Sequence, residues 1–171
     1  MKILVTGGTG FIGSHTCVEL LEAGHDVVII DNLYNSQADV IDKIKTITGK
    51  DVAFYESDCC DEEALETIFN EHKIDAAIHF AGYKAVGESV AKPIMYYQNN
   101  LMSTLALCKV MAKHGCKRLV FSSSATVYGN PKSVPIKEDS IRTYNKSLWN
   151  NKINDRTDFK RFIYFRSRME Y

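Results

Sequence analysis

The amino-acid sequence predicts an α/β protein with a doubly wound parallel sheet, and three observations support this. Short apolar segments alternate with longer segments of helical periodicity along the first 140 residues. The apolar segments have hydrophobic side chains on both faces, which is typical of parallel strands covered by helices on each side. The first apolar segment leads into a glycine-rich turn that begins a helix.

The elements are predicted in alternation along the chain. Five strands are predicted at residues 2–5, 27–30, 52–55, 76–80 and 118–122. Four helices are predicted at residues 11–23, 38–48, 62–71 and 93 to about 114. Gly24, Gly49 and Gly115 follow three of these helices, where glycine adopts left-handed backbone without strain. Asp61 is a predicted N-cap, and Pro93 suits a first helical turn.

Composition excludes several classes of protein. The 171 residues fit one domain, with 45% hydrophobic residues, 25% charged residues and a net charge of zero. No apolar run approaches the roughly 20 residues of a membrane-spanning helix, and no secretion signal precedes the glycines. The five cysteines form no CxxC pattern. We therefore expect a cytoplasmic chain with free thiols that has no metal site and binds neither membranes nor nucleic acid.

The turn after the first strand has the pattern of a phosphate-binding loop. Residues 7–13 read GGTGFIG, which satisfies both GxGxxG and GxxGxxG. Glycine allows a sharp turn and a close approach of the backbone to a pyrophosphate. The N–H groups of Gly10 to Gly13 would then point at the phosphates. A glycine-rich turn without a ligand is the alternative, but the strand before it and the helix after it favour a Rossmann-type dinucleotide site.

Two aspartates follow neighbouring strands. Asp31 ends the second strand, 18 residues after Gly13, where a carboxylate can accept both adenosine-ribose hydroxyls and select NAD over NADP. A turn or helix-cap aspartate is the alternative for Asp31. Asp58 follows the third strand and is either an adenine contact or a loop cap for the next helix.

Three segments of the sequence are distinctive: MKILVTGGTGFIGSHTCVELLEAGHDVVIIDNLYNS, HFAGYKAVGESVAKPIMYYQNN and FSSSATVYGNPKSVPIKED. They resemble the UDP-glucose 4-epimerase family of extended short-chain dehydrogenase/reductases. DNLYNS and KAVGESV are much more specific to this family than the glycine turn. The resemblance covers about residues 1 to 139. It implies a Rossmann fold truncated before the C-terminal substrate lobe, NAD as cofactor, a UDP-sugar substrate and a homodimer for full-length members.

The resemblance also implies roles for individual residues. The glycine turn would contact the pyrophosphate, and the loop after the second strand would contact the ribose. The loops after the third to fifth strands would contact the rest of the cofactor. The implied cofactor contacts are Gly7, Gly10, Phe11, Ile12, Gly13, Asp31, Asn32, Leu33, Tyr34, Asn35, Ser36, Asp58, Cys59, Phe80, Ala81, Gly82, Tyr83, Lys84, Asn99 and Ser122. Ser124 would be the active-site hydroxyl that binds the reacting sugar oxygen.

Some of these residues have a plain alternative. Ser124 could belong to a polar loop, and Lys84 could be a solvated lysine. Asn99 and Asn100 are unfavourable in mid-helix unless their side chains are paired, which favours a role for them. Tyr96, Tyr97 and Met102 are instead expected to pack along a helix face.

The implied reaction is C4 epimerisation through a 4-keto sugar. A Tyr-x-x-x-Lys pair would be its acid and base, because residues four apart share a helix face. The chain has one such match, Tyr128 and Lys132, but Gly129, Asn130 and Pro131 between them predict a turn. The catalytic pair is therefore missing, and we expect the 171-residue chain to be inactive.

The C-terminal tail differs from the rest of the chain. Residues 142–171 contain eight Lys or Arg and three acidic residues, whereas residues 1–141 contain 13 and 18. Codons permitted for residues 148–171, read one base later, give YGTTKLMIEQILKDLYISDPEWS, which contains the missing pattern. We expect an incomplete Rossmann domain at residues 1–140 and an out-of-frame tail at 141–171. A solvated tail or a nucleic-acid-binding tail are alternatives, and the rival enzymes are a nucleotide-sugar dehydratase or a uronate epimerase.

Overall fold

The fold is a five-stranded parallel sheet covered by helices, in a computed structural model that describes residues 1–123, 128, 134–137 and 139–140. The chain divides into two units. The first comprises Met1–Gly82 and Met102–Ser122 and contains the whole sheet. Residues 83–101 belong to the second unit.

Ten elements make up the described chain. The strands are β1 (Lys2–Thr6), β2 (Asp26–Asp31), β3 (Ala53–Glu56), β4 (Ala76–His79) and β5 (Leu119–Phe121). The helices are α1 (Phe11–Glu22), α2 (Asp39–Thr48), α3 (Glu62–Glu71), α4 (Val86–Ala91) and α5 (Pro93–Lys113). Every predicted element is present, with its ends within one residue of those predicted. Helix α4 was not predicted, because a segment of six residues around Gly87 is too short to show helical periodicity.

The predicted helix ends are confirmed by backbone geometry. Gly24, Gly49 and Gly115 have φ angles of 83°, 67° and 70°, in the left-handed region that favours glycine. The Asp61 side chain accepts hydrogen bonds from the N–H groups of Glu63 and Ala64, and so caps α3. None of the helices in the described part of the chain is both long and apolar enough to cross a membrane.

The strand order determines where a ligand can bind. The order is β3-β2-β1-β4-β5, and all four pairings are parallel. The chain moves from β1 outward to β3 and then returns to place β4 on the other side of β1. This reversal makes the carboxyl ends of β1 and β4 a topological switch point, the position at which open parallel sheets bind ligands.

Alternate side chains of the strands form two hydrophobic cores. On one face, Leu4, Val28 and Ile30 pack with residues of α3 and α5, including Leu65 and Leu107. On the other face, strand residues pack with α1 and α2; this core consists of Ile3, Val5, Cys17, Leu21, Val27, Ile29 and Ile44. The two cores confirm the doubly wound arrangement and hold the ends of the strands in fixed positions.

Candidate functional site

The glycine turn lies at the switch point and is tightly packed against its surroundings. Gly7 has a φ of 68°, and its N–H donates to the carbonyl oxygen of Ile30 at 2.9 Å. A Cβ on Gly7 would lie 2.7 Å from the nitrogen of Ala81, and one on Gly13 would lie 2.1 Å from the Gly7 oxygen. Both positions therefore exclude any side chain, as the sequence predicted.

The start of α1 has the chemistry of an anion site. Gly10 is the N-cap and supplies no side-chain cap, so the first amides of the helix, at Phe11, Ile12 and Gly13, have no partner within it. The Phe11 side chain is 82% exposed. The prediction that Gly10 also offers its N–H was wrong, because this group donates to the Gly7 carbonyl at 3.2 Å and closes the turn. Three amides and the helix dipole remain to bind a phosphate.

The Asp31 carboxylate lies at the end of β2 and is only 8% exposed. Its Oδ2 accepts from the N–H of Thr9 at 3.1 Å, in the middle of the glycine turn. Its Oδ1 accepts from the N–H of Leu33 at 3.0 Å and from the hydroxyl of Ser36 at 3.3 Å. Leu33 has a φ of 55°, the only positive φ among the described non-glycine residues. These bonds connect the residue 31–36 loop to the glycine turn.

Thr9 is a site residue that the sequence analysis missed. Its hydroxyl lies 2.7 Å from the Ser36 hydroxyl, while its N–H contacts Asp31. The threonine is buried, between two of the glycines of the turn. A polar side chain inside an otherwise glycine-rich turn was the available signal, because a buried hydroxyl needs a hydrogen-bond partner.

A second bridge joins the loops that follow β2 and β3. The Asn32 side-chain amide donates to Asp58 Oδ2 at 3.1 Å, and Asp58 Oδ1 accepts from the N–H of Cys60 at 2.7 Å. Asp58 therefore orders its own loop, and the cap of α3 is Asp61. Tyr34 is more than half exposed, and its N–H donates to Asn32 Oδ1 at 3.1 Å; Asn35 is exposed beside it.

The cysteines beside this bridge are protonated thiols at neutral pH. Cys59 is buried in the core on the α3 and α5 face, and burial raises its pKa. Only its main chain is therefore available to a ligand. Desolvation and the Asp58 charge raise the pKa of Cys60 to about 12. Neither thiol is a nucleophile in this setting.

The end of β4 is fixed by a buried polar chain that the sequence analysis missed. Thr6 Oγ1 lies 2.6 Å from His79 Nδ1 and accepts from the N–H of Ala81 at 3.3 Å. His79 Nε2 lies 3.1 Å from Thr104 Oγ1, and the His79 carbonyl accepts from the N–H of Ser122 at 3.1 Å. These hydrogen bonds hold Phe80 and Ala81 against Gly7 of the glycine turn, and Gly82 follows them directly.

Three predicted contacts lie in the second unit. The Tyr83 N–H donates to Asn100 Oδ1 at 2.8 Å, and the Tyr83 carbonyl accepts from Asn100 Nδ2 at 3.2 Å. The Asn99 amide donates to the Asn100 oxygen at 3.1 Å. Lys84 is exposed, yet partial desolvation of its ammonium lowers its pKa. Asn100 is thus paired as mid-helix asparagines require.

Several residues of the predicted site and the predicted tail lie outside the described residues. This holds for Ser124, for Lys132 of the predicted turn and for the tail at residues 141–171. Among the described residues, no group of three or more His, Cys, Asp and Glu side chains could hold a metal ion.

In the first unit the structure brings together the glycine turn, the Asp31 loop, Asp58 and the residues after β4. The α1 amides suit a pyrophosphate, and the buried Asp31 carboxylate suits a ribose diol. The residues present therefore fit a dinucleotide.

Comparisons with known proteins agree with this geometry. The sequence matches the NAD dependent epimerase/dehydratase family over residues 3–148. It is 60% identical over 139 residues to a UDP-glucose 4-epimerase of Bacillus subtilis, covering 81% of this chain and 41% of that protein. It is 55% identical over 142 residues to UDP-glucose 4-epimerase 2 of Arabidopsis thaliana, with the same coverage.

Solved structures show the same likeness. The crystal structure of UDP-glucose 4-epimerase from Bifidobacterium longum, in complex with NAD+ and UDP, superposes with a TM-score of 0.93 and 49% sequence identity. The match covers 95% of this chain and 49% of that chain. The chain thus spans about two fifths to a half of the length of these relatives.

Proposed function

The chain belongs to the NAD dependent epimerase/dehydratase family, and on this premise we propose that it is the NAD-binding part of a UDP-glucose 4-epimerase. The whole enzyme interconverts UDP-glucose and UDP-galactose at C4 through a 4-keto sugar. The UDP-glucose 4-epimerase relatives, at 55–60% identity, support this activity over that of other nucleotide-sugar epimerases or dehydratases.

The observation that carries the proposal is the environment of Asp31. Its carboxylate is buried, bonded to the glycine turn through Thr9 and placed at the carboxyl end of β2. A ribose diol can donate to such a carboxylate, whereas a 2′-phosphate would place a second negative charge beside it. This geometry favours NAD over NADP.

The residues have separate tasks in this proposal. The amides of Phe11, Ile12 and Gly13 bind the pyrophosphate, and the 31–36 loop with Asp58 and the Cys59 main chain binds the adenosine. Phe80 to Lys84, Asn99 and Ser122 line the other half of the cofactor. NAD, when bound, supplies the capacity to accept a hydride from the sugar and return it. Ser124 would donate a hydrogen bond to the sugar's reacting oxygen.

We further propose that residues 1–140 form the incomplete Rossmann domain and that residues 141–171 are read out of frame. The 81% coverage of the chain by its relatives supports this boundary. The reading frame one base later restores the Tyr-x-x-x-Lys pattern that proton transfer requires. Without that pair the chain would be a non-catalytic NAD-binding fragment. A homodimer is proposed only for the longer enzyme.

NAD+ binding by the 171-residue chain tests the first part of the proposal. Isothermal titration with NAD+ and NADP+ should show binding of NAD+ and at least about tenfold weaker binding of NADP+. Asp31→Asn should weaken NAD+ binding and reduce the preference. Asp26→Asn is the matched control, because Asp26 is exposed at the opposite end of the same strand. Equal binding of both dinucleotides, or no binding, would contradict the proposal.

Two further measurements test catalysis and reading frame. The chain should not convert UDP-galactose to UDP-glucose, whereas a protein expressed from the restored frame should do so. Resequencing the source DNA from codon 130 onward decides whether the frame shifts. Confirmation of the present frame would mean that the shift lies in the gene itself and that the catalytic pair is lost, whereas a different frame would mean that the shift is an error of sequencing. Turnover by the 171-residue chain would contradict its predicted inactivity.

A further inference from the structure

The first turns of α5 contain two buried polar residues that the proposed function does not use. Tyr96 is 1% exposed and Asn100 is 3% exposed. They are four residues apart and therefore share one face of the helix. A buried phenol and a buried amide are stable only when hydrogen-bonded, so their partners indicate what this face holds.

Asn100 holds two of the residues proposed to contact the cofactor. Its Oδ1 accepts from the main-chain N–H of Tyr83 at 2.8 Å, and its Nδ2 donates to the Tyr83 carbonyl at 3.2 Å. These two bonds fix both main-chain polar groups of one residue, much as a neighbouring strand would. The same Oδ1 accepts from the side chain of Asn99 at 3.1 Å.

Tyr96 holds the side chain of Tyr83 and the helix that follows it. The two aromatic rings have centroids 5.4 Å apart at an angle of 59°. The Tyr96 hydroxyl donates to Glu88 Oε2 at 2.7 Å, and Glu88 Oε1 accepts from Lys92 at 3.2 Å. Glu88 lies in α4, so the phenol connects α5 to α4. Tyr83 is therefore held through its ring by Tyr96 and through its backbone by Asn100.

We propose that Tyr96 and Asn100 are positioning residues for the nicotinamide half of the cofactor. The inference rests on the proposed function. In that function Asp31 binds the adenosine half of the cofactor, and Tyr83, Lys84 and Asn99 contact the other half. The chain runs from the end of β4 through Gly82 directly into Tyr83 and Lys84. Tyr96 and Asn100 touch no reacting atom and act through Tyr83 and Asn99.

Comparing a whole and a half ligand tests this role. Isothermal titration of the 171-residue chain with NAD+ and with AMP, which has only the adenosine half, separates positioning from general stability. Tyr96→Phe removes one hydrogen bond and keeps the ring, so NAD+ should bind about threefold to tenfold more weakly. AMP affinity should stay within about twofold. Asn100→Ala should weaken NAD+ binding more, because it removes both hydrogen bonds between the Asn100 side chain and the Tyr83 main chain.

Tyr97→Phe is the matched control, because Tyr97 is the next residue on the helix and turns to another face. It should leave the affinity for both ligands unchanged. Amide hydrogen exchange can be measured on both variants without ligand. Exchange of the Tyr83 amide should be faster in Asn100→Ala, which removes its acceptor, and unchanged in Tyr96→Phe.

An unchanged NAD+ affinity in Tyr96→Phe and Asn100→Ala would overturn the inference alone, as would equal losses of NAD+ and AMP affinity. Failure of the unsubstituted chain to bind either ligand would overturn the proposed function and the inference with it.

Discussion

Replacing Gly13 by alanine should destabilise the protein because the added methyl group has no space. An ideal Cβ would lie 2.1 Å from the Gly7 oxygen and 2.9 Å from the Gly8 Cα. Carbon and oxygen atoms normally approach no closer than about 3.2 Å, so the overlap exceeds about 1 Å and involves backbone atoms that cannot rotate away. Either the glycine turn or α1 must move.

The expected magnitude has two opposing parts. Overpacking of this kind typically costs about 1–3 kcal/mol and sometimes more, and the severity of this overlap suggests at least about 3 kcal/mol. Alanine in place of a helical glycine returns about 1 kcal/mol. Gly13→Ala should therefore lower the free energy of unfolding by about 2 kcal/mol or more.

Urea denaturation followed by far-UV circular dichroism measures this change. Gly87→Ala is the matched control, because Gly87 is also helical and a Cβ there meets no atom within 4 Å. It should raise the free energy of unfolding by up to about 1 kcal/mol. A Gly13→Ala protein as stable as the unsubstituted chain, or stabilised as Gly87→Ala should be, would refute the steric reasoning.

Three further substitutions test other contacts by equilibrium unfolding. Asp61→Ala removes the α3 cap and should lower the free energy of unfolding by about 1 kcal/mol; no loss would argue against the cap. Burial raises the pKa of the Cys17 thiol from 9.0 to about 12. The stabilisation of the folded state by the protonated thiol is therefore fully present below pH 9.0 and is lost as the pH rises toward 12. Cys17→Ala should accordingly show a shallower loss of stability over that range, and an identical slope would contradict the assignment. Lys113 and then His114 lower the pKa of Glu66 below 4.5, so its contribution is present above pH 4.5 and is lost as the pH falls through the lowered value. The difference in stability between Glu66→Gln and the unsubstituted chain should vanish in acid, and a difference independent of pH would refute the ion pair as its source.

The structure also explains why the cofactor loops need support. The 31–36 loop has one residue, Leu33, in left-handed backbone, which is unfavourable for a leucine. The buried Asp31 carboxylate accepts the Leu33 N–H and so stabilises this conformation. The protein's own hydrogen bonds thus hold the conformation of the loop, which lowers the entropy cost of binding.

The sequence by itself determined the local structure. Helix ends were predictable from Gly24, Gly49, Gly115 and the Asp61 cap, because left-handed backbone and capping depend on residues adjacent in the chain. The family of the chain followed from motifs of the same local kind.

Only the tertiary structure decided the contacts made across the chain. The pairing of Asp31 with Thr9, of Thr6 with His79 and of Asn100 with Tyr83 joins residues 17 to 73 positions apart. Periodicity and turn chemistry report on neighbours within a few residues, so they cannot select such partners. Local sequence patterns do not determine the order of the strands in the sheet. They also do not show that the Gly10 N–H donates to the Gly7 carbonyl within the turn. The residues that hold the site in place could therefore be identified only from the packed structure, because a buried polar group hydrogen-bonds to the groups that the fold places beside it.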